Sequence, residues 1–378
     1  MGNFFKRLDK VFRKRGAKTY KIAFNAADWF FSNKDNVISY KGTPKFWQKF
    51  ITSFFNEYKI DKIFLFGDCR FYQRIAIKTA NSLGIEVFVF EEGYVRPNYI
   101  TLEKYGVNDN SRLPRLSKFY EQLPIEKTKE ALDMKNSLFL MITSATIYYL
   151  IANTFKFLYP HYIHHRDFSA VKEALYGIKS FMRKILYTLK DKPCNKLLKT
   201  KLSKKYFFIP LQANDDAQIR KHSSFRNMRE FIEVVLNSFA HCADKDCFIV
   251  FKHHPLDRGK VNYTNFINAL SEELGIKERV ITLYELYIPN ALKNARGTVT
   301  INSTVGLSSL YHGTPTIVLG KAIYDIKGLT CKRETLDDFW KNQTTPNKDL
   351  FKKFIKFLIK NSQINSSFYG KMGDLEKL

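Results

Sequence analysis

Residues Asp61–Arg96 read DKIFLFGDCRFYQRIAIKTANSLGIEVFVFEEGYVR and predict a strand, a helix and a second strand in succession. The apolar run Lys62–Phe66 stops at Gly67-Asp68, as a buried strand does. The helical pattern that follows ends at Gly84, and Ile85–Phe90 forms the second apolar run. A βαβ unit of this kind places its two strands parallel in one sheet.

Two carboxylates, Glu91 and Glu92, directly follow the second strand and precede Gly93. Ligands of open parallel sheets bind at the carboxyl ends of strands, where Asp68 also lies. A single glutamate at this place would be expected to cap or solvate a loop. Two acids followed by Gly and then by Arg96-Pro97 favour a functional site, with Asp68 and Arg96 as candidates for substrate contact.

The chain is strongly basic. Its 378 residues are enough for two domains, and 62 Lys+Arg against 36 Asp+Glu give a net charge of +26. Such a field favours anionic partners, namely nucleic acid, an acidic membrane face or phosphorylated substrates. An AT-biased genome would also raise Lys, Phe and Tyr, but it explains the charge imbalance less well. The five cysteines are odd in number and lack metal-ligand spacing, which predicts a reducing compartment and no metal cluster.

The first residues are basic and amphipathic, without the apolar core of a signal peptide. The stretch from Phe4 to Phe12 has helical spacing, which fits either a membrane-surface helix or the first helix of a domain. Tyr20–Phe24 reads as a strand that leads to Asn25 and Asp28, and the amphipathic stretch Phe46–Tyr58 predicts a helix.

The most apolar stretch is Ser137–Asn153, which is uncharged but short for a membrane span and contains Ser, Thr and Tyr. We expect a buried or interface-seated helix there. The segment Tyr159–Arg166, YPHYIHHR, clusters cations and aromatic rings. It predicts a phosphate or lipid-headgroup site through His164, His165 and Arg166, or else a solvated surface. Next we expect a helix over 168–189 and a basic linker over 190–205 that contains Pro193.

A regular alternation of strands and helices follows and predicts a second parallel sheet. Its expected strands are Tyr206–Ile209, Cys247–Phe251, Val280–Leu283, Gly297–Ile301 and Thr316–Leu319, with helices over Phe225–Phe239 and Tyr263–Leu274.

Three of these strands end in polar segments of complementary chemistry. Lys252-His253-His254-Pro255 offers fixed cations, Asn302-Ser303-Thr304 offers hydroxyls and backbone N–H groups at a helix start, and Gln212–Gln218 adds amides with Asp215 and Asp216. Each segment alone is explained by an ordinary turn or helix cap. Together, at the strand ends of one sheet, they predict a nucleotide phosphate site.

Four sequence motifs, FGDCR, FEEGYVRP, YITLEKYGVN and NSRLPR, resemble the capsule polysaccharide biosynthesis proteins of the KpsS/LipB type. The resemblance runs with gaps from about Gly2 to about Cys331. It implies transfer of the acidic sugar Kdo from CMP-Kdo to a phosphatidylglycerol-type lipid, which starts the linker of a capsular polysaccharide. Members of this family typically begin with a strand before the first helix, so we expect that a first strand is missing from this chain.

The resemblance also implies an α/β fold with two Rossmann-like domains facing a cleft, as in GT-B glycosyltransferases, and a helical insertion. It assigns the CMP site to Lys252, His254, Ser303 and Thr304, and the surrounding strand ends add Pro255, Asn302, Gln212 and Gln218. The implied reactive carboxylates are Glu91 or Glu92 and Asp216 or Asp215. We favour Glu91 because related Kdo transferases carry Glu two residues before this Gly, and Asp216 because of its spacing to Gln218. The leaving group is a single phosphate that these side chains could neutralise, so no metal or other cofactor is expected.

The expected domains are 1–200, with the insertion at about 117–190, 201–335 for the nucleotide sugar, and C-terminal helices over 336–378 that cross back to the first domain. The expected partners are the CMP-sugar, an anionic phospholipid on the inner face of the bacterial inner membrane and other capsule assembly proteins. The protein would be cytoplasmic and peripheral. Two alternatives stay open: a non-catalytic partner that binds CMP-sugar or lipid in capsule assembly or export, and, on charge alone, a nucleic-acid-binding protein, although its motifs are absent.

Overall fold

Two α/β units make up the chain in the computed structural model, which describes residues 2–125, 130–164, 170–332 and 334–377. Unit 1 comprises Met1–Arg112, Lys127–Lys172 and Leu358–Leu378, and unit 2 comprises Leu113–Glu126 and Glu173–Phe357. The α/β class and the two-unit organisation predicted for a GT-B protein are confirmed.

The strands, in chain order, are β1 Lys21–Ala23, β2 Val37–Ser39, β3 Lys62–Phe66, β4 Glu86–Glu92, β5 Tyr99–Lys104, β6 Tyr206–Pro210, β7 Phe248–Lys252, β8 Val280–Leu283, β9 Gly297–Thr300, β10 Thr316–Val318 and β11 Gln363–Asn365. The α-helices are α1 Phe4–Lys14, α2 Ala26–Phe30, α3 Trp47–Glu57, α4 Phe71–Ser82, α5 Ser117–Glu121, α6 Leu138–Thr154, α7 Ala170–Lys199, α8 Ala217–His222, α9 Met228–Cys242, α10 Thr264–Glu273, α11 Ile288–Asn294, α12 Thr304–Tyr311, α13 Leu336–Phe339 and α14 Lys348–Ser362.

Unit 1 is built around the predicted βαβ unit, in which β3 and β4 pair in parallel. The full sheet has the order β11-β5-β4-β3, and β1 and β2 form a separate parallel pair. Helix α1 packs on this sheet, because its buried Phe4 lies edge-on to Phe90 at 5.2 Å and to Phe368 at 4.7 Å between ring centroids. The interpretation of this segment as a domain helix is therefore confirmed.

Strand β4 continues through Glu91 and Glu92 instead of ending at Phe90 as predicted. The reason is β5, which pairs antiparallel with β4 and places Thr101 opposite Glu91 and Ile100 opposite Glu92. The connecting turn is tight: a Cβ atom on Gly93 would lie 2.2 Å from the Tyr99 carbonyl oxygen, so only glycine fits.

Helix α6 confirms the predicted helix. Of the two expected settings, burial within the protein is excluded, and a seat at an interface stays a prediction. Phe139 is 74% exposed and Leu150 is 58% exposed, since the apolar side chains are spread around the helix and no single face can hide them. No helix within the described ranges combines the length and hydropathy that a membrane crossing requires.

Unit 2 contains the predicted parallel sheet, in the order β10-β9-β6-β7-β8. All four of its strand pairs are parallel, and helices α9 and α10 cover its main core. The sheet is apolar because its central strands are buried on both faces; β6, for example, is buried along its whole length.

The prediction of a linker over 190–205 is wrong for residues 190–199, because α7 runs without a break through Pro193 to Lys199. Contacts on both sides of the proline hold it. Asp191 accepts hydrogen bonds from the Tyr284 and Glu285 amides at 2.8 and 2.9 Å, and Leu198 is buried in unit 2. These contacts offset the hydrogen bond that proline removes.

The C-terminal segment returns to unit 1, as predicted, but it is not wholly helical. After α14, strand β11 pairs antiparallel with β5 and so forms the edge of the sheet in unit 1.

Candidate functional site

In unit 1, Glu91 lies beside the loop that begins at Gly67, at the carboxyl end of β3. The Gly67 amide donates to the Phe90 carbonyl at 2.9 Å, which holds the loop against β4. A Cβ atom on Gly67 would lie 3.8 Å from Glu91 Oε2, so the carboxylate reaches over this loop. The φ of Gly67 is +67°, a conformation that glycine adopts without strain.

The charge on Glu91 is controlled by its surroundings. Burial raises the pKa of its carboxyl to about 7. A hydrogen bond from the Glu92 backbone amide to Oε1 at 3.0 Å acts in the opposite direction and lowers this pKa. The charges of Glu92 and Asp68 also raise this pKa, and the Arg70 guanidinium lowers it. A carboxyl that titrates near neutral pH can both accept and release a proton, whereas Glu92 is exposed.

Asp68 is buried and anchors the neighbouring loop. Its Oδ2 accepts hydrogen bonds from the Val107 amide at 2.9 Å and from Asn110 Nδ2 at 3.1 Å, and the Cys69 thiol donates to Oδ1 at 3.1 Å. Asp68 therefore holds the loop that borders the site, and its contact with substrate stays a prediction.

The turn after the two glutamates is ordered by a residue from the far end of the chain. Gln363 Oε1 accepts hydrogen bonds from the Tyr94 amide at 2.9 Å and the Val95 amide at 3.2 Å. Arg96 Nε donates to the Gly93 carbonyl at 3.0 Å. The predicted site residue Arg96 thus lies in a turn whose backbone is fixed by β11.

Asn25 and Asp28, which the sequence placed at a strand end, hold the apolar helix α6. Asn25 Nδ2 donates to the Tyr148 hydroxyl at 2.8 Å, and that hydroxyl donates to Asp28 Oδ1 at 2.9 Å. Burial, followed by the Asp28 charge, raises the pKa of Tyr148, so this phenol stays protonated. This polar contact fixes the middle of α6 to unit 1.

Arg70, which the sequence pattern did not mark as a candidate, also lies at this edge of the sheet. Its guanidinium lies 5.6 Å from the Phe66 ring centroid, and its charge lowers the pKa of Glu91 and of Tyr162. Within the part of the chain that the structure describes, the side chain of Arg70 makes no hydrogen bond or ion pair. Five N–H donors beside a titrating carboxylate suit an anionic group of a substrate. The signal for it was an arginine two residues after the Gly67-Asp68 strand end.

In unit 2, side chains tie the carboxyl ends of β6 and β9 together. Gln212 Nε2 donates to Asn302 Oδ1 at 2.9 Å, and the Asn302 amide donates back to Gln212 Oε1 at 3.2 Å. Gln212 Nε2 also donates to Asp216 Oδ2 at 3.1 Å. Three predicted residues from two separate segments are thus brought together, as expected for adjacent strands of one parallel sheet.

The loop after β6 leads into α8, which Asp216 caps. Its Oδ1 accepts a hydrogen bond from the Gln218 amide at 2.9 Å, and Asn302 Nδ2 donates to the Gln218 carbonyl at 3.3 Å. The spacing from Asp216 to Gln218 therefore serves a helix start. Asp215 is half-buried beside it, and the choice between the two as reactive carboxylate stays a prediction.

The end of β7 does not carry the predicted row of fixed cations. Lys252 is buried in the strand, where its Nζ donates to the carbonyls of His253 at 3.0 Å and of Tyr284 at 3.2 Å, and burial lowers its pKa to about 8. Burial also lowers the pKa of His253 to about 4, so this ring is neutral at pH 7 and stacks on Tyr284 with centroids 4.1 Å apart. Both residues support the strand end from inside.

His254 is the half-buried residue of this segment. Its Nδ1 accepts a hydrogen bond from the Leu256 amide at 3.2 Å, so the neutral ring carries its proton on Nε2. Pro255 opens a single helical turn that ends at Asp257, a buried carboxyl that accepts from the Asn214 amide at 2.9 Å. Burial raises the pKa of Asp257 to about 6. The turn after β7 is thereby tied to the loop after β6.

Ser303 and Thr304 lie where β9 runs into α12. Ser303 Oγ accepts from the Val305 amide at 3.2 Å, an ordinary N-cap. The Tyr324 hydroxyl donates to the Ser303 carbonyl, and a Cβ atom on Gly306 would lie 2.2 Å from that hydroxyl. Gly306 therefore lets Tyr324 hold the start of the helix in place.

Of the predicted lipid-side residues, His164 lies in unit 1, its ring centroid 5.9 Å from that of Tyr149 and 6.0 Å from that of Tyr162. His165 and Arg166 lie outside the described residues.

One group of possible metal ligands, Asp244, Asp246 and Cys247, lies apart from these strand ends. The Arg296 guanidinium donates to Asp244 Oδ2 at 3.0 Å and to Cys247 Sγ at 2.9 Å, so a cation from the chain already contacts two of the three members of this group. Cys247 and the other four cysteines are free thiols.

Comparisons with known proteins cover almost the whole chain. Residues 61–369 match the family described as capsule polysaccharide biosynthesis protein. The capsule polysaccharide export protein KpsS of Escherichia coli is 38% identical over 98% of this chain and 95% of its own length. The capsule polysaccharide modification protein LipB of Neisseria meningitidis is 38% identical over 98% of this chain and 90% of its own. A solved structure of Thermosulfurimonas dismutans KpsC, described as a beta Kdo 2,7 transferase, is 13% identical with a TM-score of 0.42, over 89% of this chain and 88% of that one.

Proposed function

The chain belongs to the capsule polysaccharide biosynthesis protein family, and we propose that within it the protein is a glycosyltransferase. It moves Kdo from CMP-Kdo to a phosphatidylglycerol-type lipid and so starts the linker of a capsular polysaccharide. The observation that carries the proposal is the Glu91 carboxyl, which is held at a strand end with a pKa of about 7.

Glu91 is the general base of this reaction. A hydroxyl of the lipid acceptor gives its proton to the Glu91 carboxylate while its oxygen bonds to the anomeric carbon of Kdo. The bond from that carbon to the CMP phosphate breaks, and CMP leaves with the electron pair. The transition state resembles an oxocarbenium ion, whose positive charge a second carboxylate can stabilise, and we assign this role to Asp216.

Unit 2 binds the CMP portion. His254 and the hydroxyls of Ser303 and Thr304 lie at the carboxyl ends of β7 and β9 and are suited to a phosphate. Lys252 contributes its charge from within β7, and Gln212 and Asn302 hold the two central strand ends in register. The step needs no metal, since side chains and backbone N–H groups neutralise the single phosphate that leaves.

The lipid acceptor implies a membrane surface, and we place the protein on the cytoplasmic face of the inner membrane as a peripheral protein. The net charge of +26 supports attraction to an anionic leaflet, where each Lys or Arg near the surface contributes about 1 kcal/mol. His164, His165 and Arg166 are proposed to contact the headgroup. Replacing these three together with alanine should impair lipid transfer more than CMP binding.

The deciding experiment is mass spectrometry of a phosphatidylglycerol-type lipid incubated with CMP-Kdo and purified protein. We expect the product lipid to gain the mass of at least one Kdo. Glu91→Gln and Asp216→Asn should each remove nearly all transfer, while CMP binding and a cooperative unfolding transition are kept.

Wild-type transfer rates in both variants would contradict the catalytic assignment. They would favour the alternative, a non-catalytic partner that binds CMP-sugar or lipid in capsule assembly or export. The name of the E. coli relative, an export protein, is the observation behind that alternative.

A further inference from the structure

Helix α7 presents its polar side to the protein. Arg183 donates to the Arg258 carbonyl at 2.8 Å, and Tyr187 stacks on Tyr284 with ring centroids 3.9 Å apart. These contacts belong to a stripe with helical spacing. It consists of Glu173, Tyr176, Ser180, Arg183, Tyr187 and Asp191.

The opposite side of α7 is apolar and faces solvent. Its large side chains are between 53% and 68% exposed, including Leu175, Ile178, Phe181, Met182, Ile185 and Leu189. A surface helix of a globular protein has the reverse arrangement, with its apolar side on the core. Contiguous apolar surface of this kind marks a binding surface, because leaving it in water is unfavourable.

The charges around this apolar side have a single sign. Lys179, Lys184 and Lys190 are exposed, and the sequence contains no Asp or Glu from residue 174 to residue 190. Lysine side chains bordering an apolar helix face are typical of helices that lie in the interface of an anionic bilayer. There the apolar side chains enter the headgroup region and the ammonium groups meet lipid phosphates.

We propose that the apolar side of α7 is a membrane-docking surface of unit 2 for a bilayer rich in anionic lipid. A second copy of the chain fits this surface less well, because two such faces would bring the same three lysines of each copy together on molecules that each carry a net charge of +26. The inference deepens the proposed function, whose acceptor is a lipid, and assigns the nucleotide-binding unit its own contact with the membrane.

The test is flotation of the full chain, without any sugar donor, with phosphatidylglycerol vesicles and, separately, with neutral phosphatidylcholine vesicles. The first variant combines Ile178→Ser, Met182→Ser and Ile185→Ser, all at exposed positions, so folding should be kept. We expect about tenfold weaker binding or more, corresponding to about 1.4 kcal/mol. The matched control combines Val234→Ser, Tyr287→Ser and Tyr311→Ser, which are exposed elsewhere in unit 2, and should bind as the wild type does.

A second variant separates charge from apolarity. Changing Lys179, Lys184 and Lys190 to Gln should weaken binding to phosphatidylglycerol vesicles and leave binding to neutral vesicles unchanged. Changing Lys245, Lys293 and Lys341 to Gln is the control.

Four outcomes decide the inference. Wild-type flotation of both α7 variants overturns it, as does failure of the wild-type chain to bind vesicles of either composition. A dimer that the serine variant converts to a monomer, with vesicle binding unchanged, assigns the face to a second copy instead. If the α7 variants lose flotation and no transfer to lipid is found with the wild type, the docking surface stands and the proposed function fails.

Discussion

A carboxyl that titrates near neutral pH binds protons differently in the folded and the unfolded chain, and Glu91 is such a group. Its pKa is raised from 4.5 to about 7 by burial. The raised pKa means that the folded chain binds a proton at Glu91 more tightly than the unfolded chain does. Its contribution to stability is complete below about pH 4.5 and is lost as the pH rises through 7.

Glu91→Gln should therefore stabilise the protein at pH 8 and change its stability little at pH 5, since glutamine mimics the protonated acid at every pH. Differential scanning calorimetry at the two pH values measures this. Glu57→Gln, at an exposed position on α3, serves as the control and should leave the stability nearly unchanged at both pH values. An equal shift of Glu91→Gln at both pH values would mean that the carboxyl does not titrate in this range.

Arg70→Gln removes the positive charge that lowers the pKa of Glu91. With Glu91 as the base, the rise of the transfer rate with pH should move to higher pH, and affinity for the anionic acceptor should fall. Arg74→Gln, exposed on α4, is the matched control. An unchanged pH profile would separate Arg70 from the reacting carboxylate.

His254→Ala should weaken CMP binding about tenfold, as expected for the loss of one hydrogen bond to a charged group. Isothermal titration calorimetry measures it, with the exposed His241→Ala as control. A chelator should leave binding and transfer unchanged. Strict dependence on a divalent ion would contradict the metal-free reaction.

At the scale of elements, the contacts that attach α7 to unit 2 include one buried carboxylate, Asp191. Asp191→Ala would leave the Tyr284 and Glu285 amides without their acceptor, and we expect it to lower the free energy of unfolding by about 3 kcal/mol. Urea denaturation measures the change, and Lys192→Ala, exposed on the same helix, should cost little. A small effect of Asp191→Ala would mean that water replaces the carboxylate.

The elements also show where local sequence patterns are sufficient. The βαβ unit and the strands of unit 2 were predicted because apolar runs between turn residues reflect burial directly. The continuation of β4 and the whole of β11 were missed, since both depend on pairing with β5, and pairing between distant segments leaves no local pattern. Pro193 predicted a break in α7 that tertiary contacts override.

The residues of the candidate site also divide into those that local patterns predict and those that depend on distant segments. The proximity of Gln212, Asn302 and Asp216 was predicted because strand ends of one parallel sheet meet. The buried state of Lys252 was missed, because whether a lysine at a strand end faces solvent or backbone carbonyls depends on the neighbouring loop at Tyr284. Arg70 was missed because an arginine after a strand is common.

For the whole molecule, the net charge of +26 predicts that membrane binding responds to salt. The Debye length falls from about 10 Å at 0.1 M to about 3 Å at 1 M, so attraction to an anionic leaflet is largely screened at the higher concentration. We expect strong flotation with phosphatidylglycerol vesicles at 0.1 M salt, a clear loss at 1 M, and little binding to neutral vesicles. Full retention at 1 M would mean that apolar contacts alone hold the protein on the vesicle. If it persisted in the α7 serine variant, residues 137–153 would insert and the peripheral assignment would be wrong.

The hydrogen bonds from the Tyr94 and Val95 amides to Gln363 join two segments that the ribosome makes at very different times. A ribosome makes β4 early, yet the glutamine that fixes the turn after Glu91 leaves the exit tunnel only after every strand of unit 2 has been translated. The sheet of unit 2 can therefore form before β11 pairs with the edge of β5. A chain that ended before residue 363 would lack the acceptor that fixes the turn after Glu91, so this turn can take its final form only when translation is nearly finished.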